Sequence, residues 1–501
     1  MLQLDLFIDF LRTVLSPLRD ALLSFIPQEW VMSLPALTLV LFAILALVIG
    51  MKYNPLGVSF VGVFLAILEM IIFNPGTMSG YSFGTLFIRD AFTDFFIYIV
   101  LIVAILVLIS STLWGGEKGT YNFLLLISFA GALWVIMATD LVALFIAWEL
   151  MSTPTYILVA LGPMKESIDG ATKYFVIGLL ATVLMLLGIA LTIGVTGSTD
   201  LSSINLFITS IWTSPAGNEQ VAYTVLLAMV LFIVSFGFKV GIFPGWQWVP
   251  DAYASADGSV TAYLAGGSKK TGVSALIRIL MVGFLVARME WTPLIAGVAI
   301  LTMIVGNVLA LAQKDIMRML AYSSIAMMGY LFIGVAAGTQ EGIASAVFFA
   351  FAHAIMKAAA FILIWAMSIK LAKRITYDDL AGFSKRAPLA SAMFIIIMLS
   401  LAGLPVGMGF WSKIYVFMSA VNADMWWLAL IGLLNSVFSL GYYLRVLKYS
   451  YMLDPVDNTK LKLPTPAMIA VGLCTIIILL LLPFPYLVFD YANQAAAALI
   501  P

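Results

Sequence analysis

What most constrains this chain is the number and length of its apolar runs. A helix needs about 20 apolar residues to cross the hydrocarbon of a bilayer. Runs of that kind fall near 34–51, 56–74, 92–114, 120–138, 141–161, 171–195, 221–243, 259–287, 292–312, 319–338, 343–369, 389–418, 424–446 and 466–488, fourteen segments in all. In hydrocarbon a backbone must satisfy its own hydrogen bonds, so the chain has to be a bundle of helices. Composition agrees: 63% of the 501 residues are apolar and 10% are charged, whereas a soluble domain is roughly half apolar and a quarter charged. The runs near 259–287 and 389–418 exceed one crossing and should be tilted, kinked or extended. Residues 1–33 mix apolar positions with Asp5, Asp9, Arg12, Arg19 and Asp20. They predict an amphipathic, interfacial segment without a signal-peptide pattern.

Lysine and arginine in the short loops set orientation. Fourteen of them, among them Lys118, Lys165, Lys314, Arg318 and Lys373, fall on one side, and Arg12, Arg19, Arg89 and Arg288 on the other. The loops after the odd-numbered spans are therefore expected to be cytoplasmic and both termini external. Net charge is zero, which gives no reason to expect nucleic acid. Cys474 is the only cysteine and His353 the only histidine, so an internal disulfide, an iron–sulfur cluster or a c-type haem in this chain is not expected. No dinucleotide fingerprint or phosphate loop occurs. Any redox chemistry associated with the chain must run elsewhere.

Seven basic residues remain at or within the spans: Lys173, Lys239, Lys269, Lys270, Arg278, Lys357 and Lys413. The clearest acids there are Glu69 and Glu149. Ionisable groups in hydrocarbon are expensive and mark ion or proton pathways by default. Lys173 can snorkel to the interface. Glu149, in AWELMSTPTY, either accepts structural hydrogen bonds or pairs with Lys239. In such a pair each partner sets the other's proton affinity, because burial disfavours charge and an opposite charge favours it. A movement that lengthens the pair then releases a proton. Adjacent Lys269 and Lys270 should point about 100° apart on a helix, which favours Lys269 facing inward while Lys270 snorkels. His353 and Lys357 share a face, four residues apart. The histidine is either a satisfied hydrogen-bonder or a relay. Glu149, Lys239, Lys269, Lys357 and Lys413 would then form a polar axis at mid-depth. Glu69 and Arg278 are weaker candidates, suited to contacts with neighbouring subunits.

Two segments carry helix breakers. FGFKVGIFPGWQWVPD, Phe236 to Asp251, places Pro244 between glycines after Lys239, with Trp246 and Trp248 as interface-type aromatics. LAGLPVGMGFWSK, Leu401 to Lys413, places Pro405 among glycines. Interrupted helices at matching places in two halves point to inverted repeats with midplane ion sites. The expected organisation is an N-terminal segment 1–33, three helices over 34–114, one five-helix repeat over 120–287, a second over 292–446, and a last helix at 466–488.

The motifs DLVALFIAWELMSTPTYILV, GFKVGIFPGWQWVPDAY, KDIMRMLAYSSIAMMGY and LAGLPVGMGFWSKIYVF resemble those of the antiporter-like membrane subunits of respiratory complex I. Related subunits occur in multisubunit cation/proton antiporters and membrane-bound hydrogenases. The resemblance covers roughly residues 90–450. Lysine at position 413 is most similar to the N-type subunit, and HAIMKAAAF to archaeal versions that use a reduced deazaflavin in place of NADH, with a quinone or phenazine acceptor. The family implies an all-α membrane fold of about fourteen helices with two inverted five-helix repeats, each with a broken helix. It also implies proton transfer by Glu149, Lys239, Lys269 and Lys413, with Lys357 matching a lysine of some members. No cofactor is implied in this chain, while flavin and iron–sulfur clusters belong to partner subunits. Implied partners are L- and M-type antiporter-like subunits, small membrane subunits, a peripheral redox arm at a distance, and the lipid of a plasma membrane. Three positions depart from the family pattern: Trp246 for a histidine, Ala256-Asp257-Gly258-Ser259 for Ala-Pro-Thr-Pro, and Met327 for a histidine. Asp257 is either part of a substituted inlet or a solvated loop carboxylate. Besides a proton-translocating dehydrogenase subunit, two other functions fit the residues: a cation/proton antiporter subunit driven by an ion gradient, and a scaffold whose charges are locked in static pairs.

Overall fold

The computed structural model describes residues 16–17, 19–21, 24, 26–73, 80–213, 218–455 and 457–500. Most of the amphipathic segment expected over 1–33 lies outside them. Each of the fourteen apolar runs is helical over most of its length. They give α1 (Leu34–Gly50), α2 (Leu56–Ile72), α3 (Ala91–Ser111), α4 (Lys118–Met137), α5 (Leu141–Ala160) and α6 (Ser167–Thr196). After these come α7 (Leu201–Thr213), α8 (Glu219–Val240), α9 (Trp248–Ser255) and α10 (Gly258–Tyr263). The second half holds α11 (Lys269–Arg278), α12 (Arg288–Ala312), α13 (Ile316–Ala337), α14 (Gln340–Leu371), α15 (Pro388–Ala402) and α16 (Met408–Asn422). The chain finishes with α17 (Trp426–Met452), α18 (Thr465–Leu480) and α19 (Tyr486–Ala497). Among the described residues, nine helices are long and apolar enough to cross a membrane, and five shorter apolar helices accompany them.

The ends of these helices are written locally. Asp90, Asp140, Asp315 and Thr339 cap α3, α5, α13 and α14 through side-chain oxygens that accept free backbone N–H groups. The long run at 259–287 is not one rod. Gly266 and Gly267 lie in a π turn, Leu264–Ser268, between α10 and α11, and a second π turn follows at Ile279–Gly283. The run at 389–418 divides into α15 and α16 around Pro405. Pro483 and Pro485 stop α18 early and start α19. The α7 helix and a small hairpin, β1 (Gly80–Ser82) with β2 (Phe87–Arg89), were not expected from the apolar pattern.

Helix α14 is the centre. It spans 32 residues, about 48 Å at 1.5 Å per residue. It is apolar all round and almost wholly buried, as a core helix must be. Helices α10, α13, α15, α16, α18 and α19 surround it. The α4–α5–α6–α8 group lies to one flank and α12, α13 and α17 to the other. The outer faces of α1, α6 and α17 expose Leu41, Leu179 and Val437, as lipid- or partner-facing helices do.

Candidate functional site

Helix α8 ends just after Lys239. Gly241 takes φ +73°, a left-handed conformation, and turns the chain out of the helix. The Lys239 side chain is buried in a box of rings and hydroxyls. Its Nζ donates to Tyr174 Oη at 2.7 Å and Ser152 Oγ at 3.0 Å, and lies 5.0 Å from the Tyr174 ring centre and 5.5 Å from that of Tyr156. Tyr174 stacks on Trp248 at 4.1 Å, and the Trp248 Nε1 donates to the Phe238 carbonyl at 2.7 Å. Trp248 is thus not an interface aromatic as expected. It is buried, and its indole N–H satisfies a carbonyl that the interrupted helix leaves free. The Phe243 N–H at the break finds Thr302 Oγ1 at 3.0 Å.

The expected direct pair between Glu149 and Lys239 is not formed. Glu149 is half-buried, and its Oε1 accepts from Thr182 Oγ1 of α6 at 2.7 Å. Lys239 instead engages Ser152, one turn further along α5 than Glu149. Residues three apart stand one above the other on a helix, with Cβ atoms about 5–6 Å apart, so carboxylate and ammonium remain within electrostatic reach.

Lys269, Lys270, His353 and Lys357 meet at the centre. Lys269 Nζ donates to Ser324 Oγ at 3.4 Å, and that hydroxyl lies 3.4 Å from His353 Nε2. Lys270 Nζ lies 2.8 Å from His353 Nδ1 and donates to the Ala265 carbonyl at 3.1 Å. Lys270 therefore does not snorkel; it is fully buried. Every residue of α11 is buried, so both lysines face protein although they point about 100° apart. Lys357 Nζ donates to the Leu320 carbonyl at 3.0 Å and to Ser323 Oγ.

Lys413 lies where the second helix breaks. Gly403 takes φ +86° and ends α15. Lys413 Nζ donates to the Ala402 carbonyl and to Ser436 Oγ, both at 2.8 Å, and lies 4.8 Å from the Tyr330 ring centre. Asn307 Nδ2 donates to Tyr330 Oη at 3.2 Å and to Asn435 Oδ1 at 3.3 Å, while Tyr442 Oη donates to Asn307 Oδ1 at 2.9 Å. This Asn–Tyr group adjoins Lys413 and was missed from sequence. A buried asparagine in an otherwise apolar helix was the available signal.

Among the described residues, no ion pair within 4.0 Å involves any of the five buried lysines. Each is held by hydroxyls, carbonyls, an imidazole or ring faces. An ammonium without a counter-ion in low dielectric costs several kcal/mol, and mutual repulsion adds to that cost, so charging all five together is disfavoured. A row of this kind can carry a limited number of protons and pass them among hydroxyls and amines.

The paired charges lie elsewhere. Arg278 donates to both carboxylate oxygens of Asp90 at 3.0 Å, and Arg89 to Asp94 at 2.8 Å. Arg278 is therefore spent on a contact inside the chain rather than with a neighbour, and Arg89, assigned to an external loop by its position, is fully buried. Glu69 accepts from Thr38 at 2.7 Å within the α1–α2 pair. Lys173 does reach the surface, where it and Arg318 clasp Asp251 at 2.5 and 2.6 Å. Asp257 is not solvated: it is 1% exposed and caps α10 through Ser259 N at 2.9 Å.

Two broken helices and a row of buried lysines without an ion-pair partner among the described residues mark a helical, multi-pass membrane protein with an ionisable interior. A family model described as NADH:quinone oxidoreductase/Mrp antiporter, TM, matches residues 138–439, and the chain belongs to that family. F(420)H(2) dehydrogenase subunit N of Methanosarcina mazei is 34% identical over 502 residues, covering 95% of this chain and all of that protein. NADH-quinone oxidoreductase subunit N of Rhodospirillum rubrum is 34% identical over 485 residues, covering 93% and 97%. Among solved structures, a chain of respiratory complex I from Thermus thermophilus superposes with a TM-score of 0.76 at 26% identity, covering 91% of this chain and 98% of that one.

Proposed function

We propose that this chain is the N-type, proton-translocating membrane subunit of a complex I-like dehydrogenase. The observation that carries the proposal is the row Lys239, Lys269, Lys270, Lys357 and Lys413, buried without carboxylate partners among the described residues and joined in its middle by His353 and Ser324. Glu149 acts on Lys239 from one turn away, and a shift of α5 against α8 changes the proton affinity of the amine. Protons then pass through Lys269, His353 and Lys357 toward Lys413. The two halves, residues 120–287 and 292–446, form the inverted five-helix repeats. Electron transfer runs through flavin and iron–sulfur clusters in partner subunits, from NADH or a reduced deazaflavin to a quinone or phenazine. Further antiporter-like subunits flank this chain in the plasma membrane, with its Lys/Arg-rich face cytoplasmic and both termini external.

The test is a Lys239→Ala variant, purified as the assembled complex and reconstituted in vesicles with a pH-sensitive dye inside. Proton pumping per electron pair should fall to near zero while the complex stays intact. Full pumping by that assembled variant would sink the proposal. The same purification distinguishes the antiporter alternative, which the family description also includes: companions that are all transport subunits, with no redox protein, would replace the dehydrogenase assignment.

A further inference from the structure

A cavity of about 350 Å³ opens on the Lys/Arg-rich face, between the end of α3, the α5–α6 turn, the start of α10 and the end of α14. Its rim is exposed at Gly115, Gly116 and Ile369, while Asp257 and Trp365 line it from buried positions. Two polar atoms among these lining residues have no partner among the described residues: Asp257 Oδ2 and Trp365 Nε1. The other oxygen, Oδ1, accepts from Ser259 N at 2.9 Å and from Tyr121 Oη at 3.2 Å. Tyr121 is the titratable group in contact with the carboxylate, and no ammonium or guanidinium among the described residues pairs with it within 4.0 Å. Gly258 keeps this floor closely packed, since a Cβ there would lie 2.1 Å from the Trp365 side chain.

A buried carboxylate oxygen without a donor is costly unless it takes a proton or meets water. Here the residue lines a solvent-connected cavity whose floor closes over that oxygen, and it stands at the outer end of a line to the lysine row. Trp365, Phe361 and Lys357 occupy successive turns of α14, so the cavity floor is about 12 Å along the helix from Lys357. Lys357 Nζ lies 6.0 Å from the Phe361 ring centre, and Tyr253 packs edge-on against the other side of this line, 5.5 Å from Phe361. The Tyr253 hydroxyl is buried and also has no partner among the described residues, and the Lys269 Nζ lies 5.3 Å from the Tyr253 ring centre. Along this line the Asp257 carboxylate, the Trp365 indole and the Tyr253 phenol each keep a polar atom with no partner among the described residues, and of the three the carboxylate and the phenol can both accept and give a proton.

We propose that Asp257 is the proton-loading residue of this chain. It takes a proton from hydronium in the cavity, giving the carboxylic acid and water. It then gives that proton, by way of the Tyr253 hydroxyl and intervening water, to an uncharged amine of Lys357 or Lys269, which restores the carboxylate and forms the ammonium. The substrate of the site is the proton, drawn from the Lys/Arg-rich side. This inference rests on the proton-translocating function above, and its test separates the two.

The experiment uses the assembled complex in vesicles and compares the wild type with Asp257→Asn, Asp257→Glu, Asp257→Ala and Lys239→Ala. Asp257→Asn keeps the shape and the acceptor for Tyr121 and Ser259 but cannot carry a proton. Its pumping rate should fall by about a hundredfold or more, the low end of what a positioned proton-transfer group contributes. Asp257→Glu should recover most of the rate. Formate, small enough for the cavity, should restore pumping in Asp257→Ala but not in Lys239→Ala, an effect that a merely structural role for Asp257 would not produce. Normal pumping by Asp257→Asn beside a dead Lys239→Ala overturns the inlet and leaves the subunit's function standing. Normal pumping by both overturns the function and the inlet with it. If Asp257→Asn does not assemble, Ile369→Trp narrows the mouth from the exposed rim, and an unchanged rate in that variant overturns the inlet.

Discussion

The two helix breaks solve one problem with different parts. At each, a left-handed glycine ends the first half-helix, Gly241 at φ +73° and Gly403 at φ +86°, and a lysine lies against the space its missing side chain leaves. At Gly241 that lysine is Lys269, from the start of α11, and a Cβ would sit 3.3 Å from its Nζ. At Gly403 it is Lys413, from the continuation of the same helix, and a Cβ would sit 2.6 Å from its Cδ and 3.2 Å from its Nζ. The comparison teaches that the glycine serves the lysine as well as the turn. It also shows that the first break joins two lysines, Lys239 and Lys269, whereas the second serves one.

Substituting the glycines breaks the comparison most directly. An L-residue in the left-handed region costs roughly 1–2 kcal/mol. Crowding then adds about 1–3 kcal/mol where the neighbour cannot move. The Gly241→Ala Cβ also meets Val249 Cγ2 at 2.6 Å, a stiff β-branched side chain, whereas the Gly403→Ala Cβ meets the flexible stem of Lys413. Gly241→Ala should therefore lose about 2–4 kcal/mol and Gly403→Ala about 1–2 kcal/mol. Heating the detergent-purified protein with a thiol-reactive dye reads both, because Cys474, the only cysteine, is buried until unfolding. Equal losses would mean that backbone strain alone decides the effect and that the lysine neighbours do not matter.

The tryptophans sharpen the same contrast at a smaller scale. Trp248 donates to Phe238 O inside the first break, while Trp411 donates at 2.7 Å to Leu482 O, a half-buried carbonyl beyond the end of α18. Both carbonyls belong to half-buried residues, but Trp248 is buried and stacked on Tyr174 whereas Trp411 is half-buried. Trp248→Phe, which loses the hydrogen bond inside a packed site, should cost about 1–3 kcal/mol, and Trp411→Phe about 0.5–1.5 kcal/mol. The same melting assay decides between them. A larger loss at Trp411 would show that the freed Phe238 carbonyl finds another donor and that the first break does not depend on its indole.

How much of this was readable in advance follows from where each signal sits. The helical runs were legible because bilayer thickness imposes a length, and the breaks because proline and glycine are conspicuous in apolar runs. Lys239, Lys269, Lys357 and Lys413 were legible because a lysine in hydrocarbon demands an explanation. Lys270 was misread because α11 is buried on every side, and a residue's spacing does not announce that a helix has no lipid-facing side. The absent Glu149–Lys239 contact was unreadable because Ser152 and Thr182, one turn and one helix away, take the hydrogen bonds. Arg89 and Asp257 were placed in loops by their linear position, and only packing shows that those loops fold inward. Asn307, Tyr330 and Tyr442 were passed over because tyrosine and asparagine do not stand out singly.

The smallest effect concerns how each half is fastened at the Lys/Arg-rich face. Asp251 of α9, just past the first break, binds two cations, Lys173 and Arg318. In the second half Asp379, in the loop before α15, binds one, Lys373 at 2.5 Å, and accepts from Thr376 N and Oγ1 at 2.9 Å. Partial burial pushes the Asp379 carboxyl up, but the hydrogen bond from Lys373, the Thr376 donors and the Lys373 charge together hold it below the usual aspartate range. Its folded-state proton affinity is therefore lower than its unfolded one. The clamp's contribution is full above the ordinary aspartate pKa of about 3.9 and is lost as pH falls through the lowered value. Lys373 is more than half exposed, so Lys373→Ala should cost less than about 1 kcal/mol near neutral pH. In melts taken across pH, the gap between wild type and variant should stay constant from about pH 6 to 8 and close at the acid end. A gap that persists unchanged at acid pH would show that Lys373 stabilises the loop by packing its stem rather than by its charge. The one-cation and two-cation anchors would then differ in kind and not only in number.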